Sequence, residues 1–231
     1  MIYFAHRGAS ALQVQNSPGA FALARRQGAS CYELDIHLTA DGQLVVHHDY
    51  SLLATAGKDR LIKDLSFAQL RDYPLNNPFS KEPVYVALLE EVLPLVEQGL
   101  HLLNIEIKND DNRYPGIEKK IWRFLQTEFP QILPKILFSG FDYGTLVRLR
   151  ELDKNARIGL LTRSFRVSEA LALQAESVHM NYTRFTPQTA RICRENGLKL
   201  YLYTVNDPPL AKRLEEQGAD GIFTDRIDLF V

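Results

Sequence analysis

Three acidic side chains, Glu33, Asp35 and Glu106, two fixed cations, Arg7 and Lys108, and two imidazoles, His6 and His48, stand within or at the ends of short apolar runs. Glu33 and Asp35 alternate with Leu34 and Ile36, and Ile107 separates Glu106 from Lys108. Successive side chains of an extended chain point to opposite faces, so the members of each pair share a face. Three carboxylates are hard oxygen ligands that suit Mg2+ or Ca2+, whereas zinc more often recruits Cys or several His. Permanent positive charge at Arg7 and Lys108, beside a divalent cation, fits an anionic substrate whose nonbridging oxygens gain charge in the transition state. A phosphate ester is the commonest ligand of that kind. His6 and His48, each with an ordinary pKa of about 6.5, can act as acid and base at neutral pH, and Asp49 can orient one of them. His47 should point away from His48 wherever the chain is extended.

Each assignment has a plainer alternative. Glu106 and Lys108 can be a simple ion pair, and Arg7 can do no more than pair with a neighbouring carboxylate. His37, His101 and His179 read as core, surface or supporting residues. Phe141 and Tyr203 can contact the alcohol portion of a substrate or simply pack. The chain has no G-x-G-x-x-G, Walker loop, serine nucleophile elbow or zinc signature.

A repeating scaffold must bring these residues together. Strand-like segments run from Ile2 to Ala5, Tyr32 to Leu38, Leu102 to Ile107, Ile136 to Phe138, Arg157 to Leu161, Val178 to Met180, Leu198 to Tyr203 and Gly221 to Phe223. Between them lie helix-like stretches. The first is capped by Ser17, carries Pro18 in its first turn and ends at Gly28. The others lie near Leu88 to Gln98, Gly116 to Glu128, Tyr143 to Lys154, Val167 to Ala175, Pro187 to Asn196 and Pro208 to Gln217. Eight strand–helix alternations, or nearly so, predict an α/β fold, a closed (β/α)8 TIM barrel; an open doubly wound sheet is the alternative. Barrel sites lie at the carboxyl ends of the strands. Those ends carry His6 and Arg7, Glu33 and Asp35, Glu106 and Lys108, Ser139, Tyr203 with Asn206, and Asp225. The stretch 41–83 reads as an irregular insertion after the second strand, a lobe over one barrel end within a single domain, 1–231. It opens with a hairpin turn at Asp41-Gly42.

Composition narrows the function classes. The 231 residues carry 27 Lys plus Arg against 28 Asp plus Glu, a formal net charge of -1, which argues against a chain built to grip nucleic acid or an anionic membrane. With 45% hydrophobic and 24% charged residues there is ample material for one core, and disorder, coiled coil and collagen are excluded. Cys31 and Cys193 cannot make a disulfide framework, which suits a reducing compartment. The start of the chain lacks the pattern of a signal peptide, and no apolar stretch approaches the roughly 18 residues of a membrane helix. The expectation is a cytoplasmic protein without stable membrane insertion; nothing in the sequence specifies an oligomer.

Three early segments, Phe4 to Ser10, Gly28 to Gly42 and Val45 to Asp49, resemble the opening signature of the glycerophosphodiester phosphodiesterases. The resemblance continues through Leu103 to Lys108, Ser139 to Phe141, Tyr203 to Asn206 and Gly221 to Asp225, so it spans essentially the whole chain. It implies a (β/α)8 barrel with a lobe after the second strand. It also implies metal-dependent hydrolysis of glycerophosphocholine, glycerophosphoethanolamine or similar diesters to glycerol 3-phosphate and an alcohol. His6 and His48 match the catalytic histidines, Arg7 the phosphate arginine, Lys108 the phosphate-side lysine, and Glu33, Asp35 and Glu106 the ligands of Mg2+ or Ca2+. In the family scheme the substrate's own glycerol hydroxyl attacks phosphorus, and water then opens a cyclic phosphate. A lysophospholipid headgroup hydrolase and a non-catalytic phosphate-binding barrel are the competing readings. The chain departs from the family pattern at Gln15, where a carboxylate near the metal is usual; a neutral amide there should weaken divalent binding or change the preferred ion. The run Tyr50 to Gly57 and Tyr203, where Trp is usual, also differ.

Overall fold

In the computed structural model, which describes residues 1–231, the chain begins with β1 (Ile2–His6) and turns into α1 (Pro18–Arg26). The helix starts where the sequence predicts: Ser17 Oγ accepts from the Ala20 N–H, and Pro18 fills a first-turn position where its missing donor is harmless. Gly28, at φ +100°, carries the chain out of the helix and towards β2 (Cys31–Leu38). After β2 come β3 (Leu44–Val46), α2 (Leu53–Ala56), α3 (Phe67–Leu70), β4 (Ala87–Leu88) and α4 (Leu89–Glu97). The remaining chain alternates regularly: β5 (Leu102–Ile107), α5 (Ile117–Glu128), β6 (Ile136–Gly140), α6 (Tyr143–Leu152), β7 (Arg157–Thr162) and α7 (Val167–Ala172). It continues with β8 (Ser177–Asn181), α8 (Pro187–Glu195), β9 (Lys199–Tyr203), α9 (Pro208–Glu216) and β10 (Gly221–Thr224). β10 leads into the short 3-10 turn Ile227–Leu229, so the eighth unit carries a turn where the other seven carry a helix.

The parallel strands follow the order β1, β10, β9, β8, β7, β6, β5, β2, and pairing of β1 with β2 closes the circle. This is the predicted (β/α)8 barrel. Alternation does the sorting: Leu34, Ile36, Leu103 and Ile105 are buried in the core between strands and helices, while Glu33, Asp35, Asn104 and Glu106 turn inward. Phe4, Cys31, Leu102, Leu137, Tyr201 and Phe223 form a separate buried cluster on the barrel strands, with Phe223 reaching the base of the polar pocket. The cluster fills the barrel below the acids.

The stretch expected to be irregular is more ordered than its composition suggests. β3 pairs antiparallel with the end of β2, from Ile36 opposite Val46 to Leu38 opposite Leu44, and β4 adds to β3. Gly42 at φ +74° completes the Asp-Gly turn. Val45, Leu52, Ile62, Leu65, Leu70, Leu75 and Val86 form a small core that also takes in Val14 from the β1–α1 loop. The lobe is thereby tied to the chain that follows His6, and His48 emerges from it directly after β3.

One glycine controls how the β1–α1 loop meets its helix. Gly8 has φ +81°, and a Cβ there would lie 2.6 Å from the Ala20 carbonyl carbon. Gly8→Ala combines a left-handed backbone penalty with a backbone clash, and should cost about 2–4 kcal/mol in urea unfolding. A loss below about 0.5 kcal/mol would mean that the loop relaxes freely.

Candidate active site

The residues singled out by type and spacing converge on the carboxyl end of the barrel. His6, Arg7, Glu33, His48, Glu106, Lys108, Phe141 and Tyr203 line one pocket of about 100 Å³. Asp35 lies just behind it, fully buried. Strand register sets the placement: His6 is opposite Glu33 across β1 and β2, and Asp35 is opposite Glu106 across β2 and β5. Oxygens of Glu33, Asp35 and Glu106 all lie within 4.8 Å of one another.

Two cations serve these three acids. Lys108 Nζ donates to Glu106 Oε1 at 2.8 Å and stands 3.7 Å from Asp35 Oδ1. Arg7 Nε is 3.3 Å from Asp35 Oδ2, and Arg7 Nη1 donates to Gln15 Oε1 at 2.6 Å. The Arg7 backbone adopts φ +57°, a left-handed conformation in which its N–H donates to Glu33 Oε2 at 3.0 Å. Asn16 Nδ2 donates to Asp35 Oδ2 at 2.9 Å. Burial works against the charge on Asp35, but Arg7 and Lys108 outweigh it and hold Asp35 well below the usual carboxylate range. Burial and the neighbouring charge of Asp35 push Glu33 well upward, and burial likewise raises Glu106 against the pull of Lys108. The charge count explains the pattern, because two cations leave the third carboxylate uncompensated. Asp35 Oδ1 is buried and accepts no hydrogen bond. A close cluster of hard oxygens, one without a donor and with negative charge to spare, fits a divalent cation.

Both imidazoles are braced by carboxylates. His6 Nδ1 donates to Asp225 Oδ1 at 2.7 Å, and His48 Nδ1 donates to Asp49 Oδ1 at 2.7 Å. Because a carboxylate only accepts, each neutral ring keeps its lone pair on Nε2. Burial lowers both histidines below their ordinary pKa; the bond to Asp225 opposes this at His6, and the charge of Asp35 opposes it at His48. Asp225 is itself anchored, with Ser10 Oγ on Oδ1 at 3.0 Å and Asn206 Nδ2 on Oδ2 at 2.9 Å. His48 has a further brace: His37 Nε2 donates to its carbonyl at 3.2 Å and Tyr114 Oη donates to His37 Nδ1 at 2.8 Å.

Of the other residues read at strand ends, Ser139 is fully buried, its Oγ accepting from Asn104 Nδ2. His47 turns away from His48, as expected for extended chain, and lines a neighbouring cavity. His101 is exposed. Gln15 is paired with the Arg7 guanidinium through its Oε1. Sequence reading assigned no role to Asp225, Asn16 or Asn104, and placed His37 only among core, surface or supporting residues. Asp225 had the one usable signal, its position after the last strand.

The model of the glycerophosphoryl diester phosphodiesterase family matches residues 6–229. The chain belongs to that family. The glycerophosphodiester phosphodiesterase of Bacillus altitudinis is 35% identical over 230 residues, covering 96% of this chain and 93% of its own. That of Caldanaerobacter subterraneus subsp. tengcongensis is 32% identical, covering 97% and 93%. An Oleispira antarctica phosphodiesterase, solved in complex with the product sn-glycerol-3-phosphate, superposes with a TM-score of 0.92 at 27% identity, covering 99% of this chain and 94% of that one. This chain is accordingly a glycerophosphodiester phosphodiesterase, and no helix in it is long and apolar enough to cross a membrane.

The buried histidines should make the fold sensitive to acid. Burial lowers His37 and His179 to about 3 and His47 to about 4. The unfolded chain takes up a proton on each below about pH 6.5 while the folded chain does not, so each costs stability as pH falls, by about 1.4 kcal/mol per pH unit. Glu33 and Glu106, shifted upward, act in the opposite sense. The histidine contribution is therefore read by comparing variants. The slope of unfolding free energy against pH between 4.5 and 6 should be shallower in His179→Asn by about one proton. Identical slopes would show that His179 does not stay neutral.

Proposed function

We propose that this enzyme hydrolyses small glycerophosphodiesters to glycerol 3-phosphate and a free alcohol, with Mg2+ or Ca2+ held by Glu33, Asp35 and Glu106. The observation that carries the reading is the meeting, at one barrel mouth, of an under-neutralised acid cluster with two carboxylate-braced imidazoles. The glycerol 3-phosphate in the Oleispira relative supports the product assignment.

When bound, the cation supplies Lewis acidity, drawing charge from a phosphate oxygen. Arg7 and Lys108 add fixed positive charge where the nonbridging oxygens gain negative charge. One imidazole takes the proton of the glycerol hydroxyl next to the phosphoester, through its free Nε2. That oxygen attacks phosphorus, the bond to the departing alcohol breaks, and the other imidazole, in its protonated form, gives the alcohol its proton. The resulting cyclic phosphate is opened by water with the two roles exchanged. Asp225 and Asp49 keep each ring in the tautomer that exposes Nε2 and stabilise the imidazolium when it forms. Phe141 and Tyr203 wall the pocket against which the glycerol portion lies.

The test follows glycerol 3-phosphate release from several glycerophosphodiesters, with EDTA and then Mg2+ or Ca2+ restored. Release should stop on chelation and return with an ion. His6→Ala should lower kcat by about 10²–10⁴-fold with unchanged thermal unfolding; normal turnover would remove His6 from the mechanism. Glu106→Gln should raise the ion concentration needed for half-maximal activity, and an unchanged metal titration would exclude it as a ligand.

A further inference from the structure

A second cavity, of about 610 Å³, lies between the β1–α1 loop and the lobe that follows β2. It meets the smaller pocket at His6, Arg7 and Thr204, which line both. The acid cluster, Lys108, Phe141 and Tyr203 stay on the side of the smaller pocket. A phosphodiester carries two arms on one phosphorus. With phosphate at the shared Arg7 and His6, the constant three-carbon glycerol arm fits the space of about 100 Å³, and the variable alcohol falls into the larger cleft.

The lining of that cleft is polar but almost uncharged. Gln13, Gln15 and Asn76 contribute carboxamides, and Ser10 and Thr55 contribute hydroxyls. Gln15 spends its oxygen on Arg7, which leaves its NH2 group free to donate. Asn76 is held through its backbone N–H on the Thr55 carbonyl, so its side chain is free for a ligand. The single carboxylate, Asp225, is committed: Oδ1 to His6 and Ser10, Oδ2 to Asn206. The fixed charge facing the cleft is the positive one of Arg7.

A quaternary or primary ammonium needs a free carboxylate or an open aromatic face. The one carboxylate of the cleft, Asp225, is already shared among three donors, and its one phenyl ring, Phe79, is exposed at the rim, where a cation would stay largely in water. On the other side, the Phe141 ring is already covered by the Arg163 guanidinium, 4.6 Å from the ring centre. A neutral polyol, by contrast, offers each amide and hydroxyl a partner.

We propose that the cleft is the subsite for the departing alcohol and that it selects an uncharged polyhydroxy alcohol, such as glycerol or a cyclitol, over choline or ethanolamine. This rests on the phosphodiesterase reading of the adjoining site. Gln13, Gln15 and Asn76 are the specificity-determining residues.

The experiment compares kcat/KM for glycerophosphoglycerol, glycerophosphoinositol and glycerophosphocholine at one ion concentration, in the parent enzyme, Asn76→Ala and Asn76→Asp. The parent should favour the two polyol esters by about ten-fold or more. Asn76→Ala should shrink that ratio, and Asn76→Asp, which supplies the missing carboxylate, should move it towards the choline ester. Asn76 is exposed and its backbone makes the structural contact, so both variants should melt like the parent. A choline ester cleaved as efficiently as the polyol esters by the parent overturns the proposal, as does a ratio that neither variant changes. Absence of glycerol 3-phosphate from all three esters with every ion is a different result: it defeats the hydrolase reading of the site, and this proposal with it.

Discussion

Two cations cannot neutralise three carboxylates at the base of a pocket, and much of the barrel mouth is arranged around that imbalance. A buried ion left without a partner costs several kcal/mol, so Glu33, Asp35 and Glu106 are tolerable together only where their charge is shared and where a further cation can reach them. Arg7 and Lys108 meet the first requirement from opposite sides of Asp35. The second follows from barrel architecture. Phe4, Tyr201, Phe223 and their neighbours fill the barrel below the acids, and the pocket that reaches Glu33 and Glu106 opens at the carboxyl end. The cluster thus couples stability to function: the groups that cost most to bury are those that can hold a metal ion against a phosphate.

Strand pairing carries the three acids and His6, whereas His48 sits on a braced loop. Pairing of β2 with β5 runs over six consecutive residues and includes Asp35 opposite Glu106, so a slip of one residue would turn the acids into the apolar layer. His48 has no such protection, since it follows the three-residue β3. Its position comes instead from three contacts: Asp49 on its ring, His37 on its carbonyl, and Tyr114 behind His37. Burial keeps His37 neutral, so the same tautomer can donate to the carbonyl and accept from the tyrosine. A site built this way holds its reacting groups without strand pairing at every one of them.

What could be read from the sequence was whatever depends on local period. Glu33 and Asp35 betray an inward face because Leu34 and Ile36 occupy the outward one, Ser17-Pro18 announces a helix start that the structure keeps, and the helices read from Pro187 and Pro208 begin there. Position had already set His6 and His48 apart from the other four histidines, and the resemblance to a family matched the same two. Contacts between distant segments were not legible. The bond from His6 to Asp225 joins residues 219 positions apart, and Asn16 reaches Asp35 across the gap between a loop and a strand. The small core of the 41–83 stretch was missed for a related reason: its apolar residues are too widely spaced to show a period, and they cohere only after the chain folds back on β2.

Gln15 is where the charge balance and the choice of alcohol meet. Its position suggested an amide replacing a metal-side carboxylate, yet its oxygen lies on Arg7 Nη1 while Arg7 Nε faces Asp35. A carboxylate at 15 would compete with Asp35 for the same guanidinium and bring a fourth negative charge to a region where two cations already serve three acids. It would also put a further anion on the cleft wall, where a cationic alcohol could approach it. The amide avoids both effects: Arg7 remains available to Asp35 and to phosphate, and the cleft keeps donors without charge. Gln15 therefore acts directly on the arginine, and through the share of Arg7 it leaves to Asp35 it also reaches the acid cluster.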